Sequence, residues 1–142
     1  MIDNRTDLDL RLARVQATLR EQKLDALVVF YGGQHNMLRM DQLMYLTDFR
    51  SLDRAMMIVP AEGRPHLIVA PAWDAGRARA MSCDCEVTGV SAGGVLAAGA
   101  SAATAIGGRV ALAGRPIMPI DAYAEFSRAF AGELLDGELV IP

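Results

Sequence analysis

The chain has 142 residues, of which 52% are apolar and 22% charged, with a net charge of −3. That is the length of one domain, enough to bury about 70% of the unfolded surface, and the composition is that of an ordinary globular protein. The slight negative charge excludes the basic field that nucleic acid or an anionic lipid surface would need, so neither is expected as a partner.

The N-terminus, Met1-Ile2-Asp3-Asn4-Arg5, has no apolar run of the secretory kind. The two cysteines, Cys83 and Cys85, lie in one CxC and build no disulfide framework, so a cytoplasmic, reducing location is expected. Residues 87–108 carry no charge, yet they are rich in Gly, Ala, Ser and Thr and broken by Gly-Gly pairs. A buried helix explains them better than a membrane span does.

In chain order, residues 6–23 read as a helix, with Leu8, Leu12, Val15 and Leu19 on one face and Thr6 as its cap. An apolar strand follows over 26–31 and ends at Gly32-Gly33. A second helix is predicted over 36–46, capped by Asn36, with its methionines filling core gaps. The runs 55–59 and 67–70, joined by Pro60-Ala61-Glu62-Gly63-Arg64-Pro65, form a β-hairpin with a long turn. Both runs are continuously apolar, which places the hairpin inside a sheet covered on two faces.

A helix over 72–81, a strand over 85–90, a small-residue helix from Gly93-Gly94 to 106 and a strand over 109–113 come next. Pro119 opens a helix through 131 with Ile120, Tyr123, Phe126 and Phe130 inward, and 138–141 supplies the last strand. The whole is a single domain, 1–142, of the α/β class: three layers around a mixed sheet with a central hairpin.

No complete catalytic constellation is present. The two histidines, His35 and His66, have no ligand beside them at metal spacing, and two thiols do not make a structural zinc site. His66 reads as a surface or hydrogen-bonded residue and the cysteines as inert. Gly93-Gly94 and Gly107-Gly108 match no phosphate loop, and no serine sits in a nucleophile elbow. No catalytic residue, metal ligand or cofactor site is therefore predicted in this chain.

Three stretches in order, R-x-x-R-V-Q-x-x-L-R-E-Q-K-L-D-A-L-V-V, M-Y-L-T-D-F and M-M-I-V-P-A-E-G-R-P-H-L-I-V-A-P, resemble the N-terminal domain of the creatinase, prolidase and aminopeptidase P family. Gly108 to Gly114 and Ile120 to Phe126 resemble that domain's last strand–helix unit. One departure is Asp48, where the family has Gly in YLTGF; Asp tolerates left-handed backbone better than most residues. The resemblance implies a ribonuclease H-like domain without catalytic carboxylates, acting as an accessory to a C-terminal pita-bread domain. That second domain would hold two divalent metal ions and perform the hydrolysis, and it would be this chain's partner. A homodimer is implied too, with this domain covering the substrate site.

The loop from Arg50 to Arg54 becomes the candidate site through the same resemblance. In the creatinase branch an aromatic residue and an Arg just ahead of the hairpin contact the substrate carboxylate. Arg54 stands at the Arg position and Leu52 at the aromatic one, with Arg50 as a further candidate. The plain alternative is a surface Arg54 paired with Asp53 or Asp48. At the level of function, the alternative is a free-standing ligand-binding or interaction domain without a hydrolase partner.

Overall fold

The structure is a computed structural model, and it describes residues 4–33 and 42–141. Six strands, β1 (Ala26–Tyr31), β2 (Ala55–Pro60), β3 (His66–Val69), β4 (Glu86–Gly89), β5 (Arg109–Ala113) and β6 (Glu133–Asp136), build one sheet in the order β4-β3-β2-β1-β5-β6. β2 runs antiparallel to both β1 and β3, and the remaining three pairings are parallel. β2 is therefore the only reversed strand among those described.

Side chains alternate across a strand, so a strand buried on both faces must be apolar throughout. In β1, Leu27, Val29 and Tyr31 enter one core while Ala26, Val28 and Phe30 enter the other. The first core is covered by α1 (Asn4–Glu21), α2 (Gln42–Thr47) and α3 (Ala75–Met81). The second is covered by α4 (Val95–Ile106) and α5 (Ile120–Ala129). The predicted three-layer α/β architecture with its central hairpin is the one observed.

Composition explains how the layers meet. Leu8, Val15 and Leu19 bury the inner stripe of α1. Gln16 on the same helix donates to the carbonyls of Pro60 and Gly63 at 3.0 and 2.9 Å, and Arg20 donates to Ala61 at 2.8 Å. The long hairpin turn is thus satisfied by a helix rather than by its own backbone. On the opposite face α4 approaches β2 closely: a side chain at Gly99 would overlap Met56 Sδ. The uncharged stretch 87–108 is in this way a packed strand and helix, and no helix among the described residues is long and apolar enough to cross a membrane.

Five expectations need correction or bounding, the first being Thr6, which lies inside α1, begun at Asn4, and is not its cap. The last strand is Glu133–Asp136, parallel to β5, and 138–141 is not a strand. Asp136 Oδ1 accepts the Glu138 N–H at 3.0 Å and turns the chain out of the sheet. Val140 and Ile141 are still buried, packed under the first core without joining the sheet ladder. Ile120, expected inward, is 87% exposed. It is the first residue of α5, two positions from inward-facing Ala122, which is about half a turn away.

The helix over 72–81 is divided into a 3-10 turn, Ala72–Asp74, and α3. The start of the predicted helix at Asn36 lies outside the described residues, and only its end is seen, as α2.

Candidate functional site

All the parallel strands point their carboxyl ends toward one edge of the sheet, and the reversed β2 begins there. The candidate loop, residues 48–54, leads into β2 at that edge. Its first bend follows from the end of α2. Thr47 Oγ1 donates to the Leu43 carbonyl at 2.8 Å and accepts the Phe49 N–H at 3.1 Å. Asp48 takes the left-handed conformation, φ 55°, at the helix end where a glycine is usual. The turn thus forms with Asp in place of Gly.

Phe49 is fully buried and anchors the loop. The guanidinium of Arg77 lies 4.5 Å over its ring. The same guanidinium holds both oxygens of Asp74, Nε to Oδ1 at 2.8 Å and Nη2 to Oδ2 at 2.6 Å, and Nη2 also donates to the Arg50 carbonyl at 2.9 Å. Asp74 is only 3% exposed, and its hydrogen bond raises the Arg77 pKa further above an already high ordinary value. One fork therefore joins α3, the 3-10 turn and the loop.

Further along, buried Ser51 donates through Oγ to the Ala70 carbonyl at 3.2 Å, fixing the loop to the end of β3. Gly33, φ 96°, runs beside the backbone of Leu52 and Asp53, where a side chain would come within 3.7 Å of Asp53 Cα.

The three residues singled out from sequence have different environments. Arg50 is half-buried and engaged, its carbonyl held by Arg77. Leu52 is 41% exposed. Arg54 is half-buried, and among the described residues no ion pair joins its guanidinium to Asp48, Asp53 or any other carboxylate. Asp53 instead accepts the Arg54 backbone N–H at 2.7 Å.

Further residues, none of them read as functional from the sequence, complete this edge. Trp73 after β3, Ile120 after β5 and Leu139 after β6 are 76%, 87% and 91% exposed, and with Leu52 they place large apolar side chains at that edge beside four of the six strands. Glu138 closes the edge near β5: Oε1 accepts the N–H groups of Gly114 at 2.7 Å and Arg115 at 3.1 Å, and Oε2 accepts Gln42 Nε2 at 3.3 Å. The Asp74–Arg77 pair could have been found from its i, i+3 spacing in a predicted helix. Nothing in the sequence marks Glu138, whose partners are remote backbone groups.

No group of three or more His, Cys, Asp or Glu able to hold a metal ion occurs among the described residues. His66 shares a 2.7 Å hydrogen bond with Thr88 Oγ1 of the neighbouring strand, as a satisfied structural histidine does. His35 lies outside the described residues.

Comparison with solved structures finds the same fold in peptidases. A Creatine_N superfamily domain of a dipeptidase from Streptococcus thermophilus is 20% identical, with a TM-score of 0.67 over 90% of this chain and 92% of that one. The N-terminal domain of a cytoplasmic peptidase from Mycobacterium tuberculosis is 19% identical, with a TM-score of 0.68 over 91% of this chain and 95% of that one. A prolidase from Thermococcus sibiricus is 20% identical with a TM-score of 0.72; 95% of this chain corresponds to 36% of that longer one. No curated protein matches the chain in sequence. The Creatinase/Prolidase N-terminal domain pattern, however, matches residues 11–141, nearly the whole length, and the chain therefore belongs to that family.

Proposed function

We propose that this chain is the non-catalytic accessory domain of a cytoplasmic, metal-dependent hydrolase of the creatinase or aminopeptidase P type. The domain that binds the two divalent metal ions is its partner. The accessory domain contributes to a homodimer and covers the substrate site with its carboxyl edge. Arg54 reaches the substrate carboxylate from the loop, Leu52 packs against the substrate's apolar part, and Arg50 holds the loop's course.

The observation that carries this reading is the Arg54 guanidinium, which has no carboxylate partner among the described residues although its loop is anchored at four points. An arginine's planar fork suits a carboxylate that arrives from outside. Exposed Trp73, Ile120 and Leu139, which follow β3, β5 and β6 at the same end of the sheet, fit a surface that meets another domain.

The test is steady-state kinetics on a full-length hydrolase carrying this domain. Arg54→Ala removes a charge-assisted hydrogen bond worth about 1.5–3 kcal/mol, or about ten- to a hundredfold in kcat/KM. Arg14→Ala, an exposed arginine on α1, is the control and leaves kcat/KM unchanged. Equal, near-wild-type values for both variants would reduce Arg54 to a surface residue.

A further inference from the structure

Away from the candidate site, at the amino edge of the sheet, the loop into β4 carries both cysteines. Residues 82–84 form a bend, so Cys83 and Cys85 stand outside the regular alternation of a strand. The two cysteines are separated by a single residue, and both are buried. Both line a cavity of about 360 Å³ together with Arg5 from α1, Arg64 from the hairpin turn and Arg79 from α3. That volume is many times what one water molecule occupies.

The cavity's acids are Asp84 and Glu86, and Asp84 is drawn off by Arg64 at 3.3 Å. Arg64 also donates to the Cys85 carbonyl at 3.2 Å and Arg79 to that of Val87 at 3.1 Å, so two of the cations are fixed in place by the backbone beside the thiols.

We propose that Cys83 and Cys85 form a redox-active dithiol that a hydroperoxide entering this cavity oxidises to an intramolecular disulfide. The roles of the two sulfurs differ. Cys85 is held below its ordinary pKa, first by the Cys83 thiol and then by the charges of Arg64 and Arg5, which together outweigh its burial. Cys83 is pushed up, first by the Cys85 thiol and then by burial. Arg64, which donates to the Cys85 carbonyl, places its charge beside that residue, so Cys85 is the nucleophile and Cys83 the resolving thiol.

The Cys85 thiolate attacks the hydroperoxide: a sulfur–oxygen bond forms, the oxygen–oxygen bond breaks, and the leaving oxygen takes a proton as water or alcohol. Cys83 then gives up its proton and attacks the Cys85 sulfenic acid. The sulfur–sulfur bond forms, the sulfur–oxygen bond breaks, and a second oxygen leaves as water. Two thiols lose two electrons in all, and one hydroperoxide gains them.

The experiment treats the folded chain with hydrogen peroxide and follows free thiols and intact mass. Both thiols are expected to disappear together, with a mass loss of two hydrogens in the monomer that dithiothreitol reverses. In Cys83→Ser, a sulfenic acid on Cys85 accumulates and is trapped by dimedone; in Cys85→Ser, Cys83 stays reduced. The same oxidation is expected to be slower in urea, where the arginines are dispersed.

The proposal is overturned if both thiols survive peroxide, or if wild-type protein gains oxygen without losing hydrogens. A disulfide-linked dimer, or oxidation at least as fast in urea as in native buffer, would overturn it too. Because the decisive readings come from wild-type chain, a variant that fails to fold does not rescue it.

Discussion

Asp74 shows how much of the candidate site depends on a single side chain. Its carboxylate is buried and doubly bonded to Arg77, which in turn stacks on Phe49 and holds the Arg50 carbonyl. Asp74→Asn keeps the shape and removes the charge. Because Arg77 is partly exposed, solvent screens the loss, and about 1–2 kcal/mol of stability should disappear. Urea denaturation measures this as a lower midpoint at unchanged slope. Phe49→Ala removes a fully buried ring and should cost more, about 3–5 kcal/mol. If Asp74→Asn proves neutral, the fork is not what holds the loop.

Among the elements, those with a continuous apolar run were legible in the sequence and those relying on remote partners were not. β1 and β5 have the bounds their residue patterns predict, because ALVVFY and the apolar run after Arg109 are buried on both faces and punctuated by glycine. β6 was missed because Glu133-Leu-Leu-Asp has weaker strand character than the Leu139-Val140-Ile141 run after it. What decides is the parallel register against β5 and the Asp136 turn, and neither is a local signal.

That a loop precedes β2 was legible in the sequence, but the contacts that hold it were not: Ser51 and Gly33 act through the backbone of other segments. A further element-scale prediction follows from Gly89 in β4, where a side chain would overlap the Ala72 backbone of the 3-10 turn. Backbone cannot swing aside as a side chain does. Gly89→Ala should destabilise by about 1–3 kcal/mol, and a melt within error of wild type would show that the turn yields freely.

For the whole molecule, the sheet with two filled cores at this length should fold without any added domain. A cooperative thermal transition by circular dichroism checks this; a sloping, featureless melt would contradict it. On the proposed accessory role, the chain alone should hydrolyse neither creatine nor Xaa-Pro peptides, with or without manganese, cobalt or zinc. Turnover that copurifies with the chain and is abolished by a chelator would refute that expectation.

The strand order also has a consequence for time. β2 and β3 meet across residues 61–65 alone, whereas β1 must find β5 from far away: the Asp25–Arg109 contact that starts this pairing spans 84 residues. Closing the short loop costs less chain entropy, so the hairpin belongs in the nucleus and the β1–β5 seam zips afterwards. In stopped-flow chevrons Ile58→Val, in the hairpin, should slow refolding. Val110→Ala, at the seam, should leave refolding nearly unchanged and hasten unfolding. The seam is then the line along which the native protein first comes apart, with β5, β6 and α5 opening together while the hairpin and its helices persist.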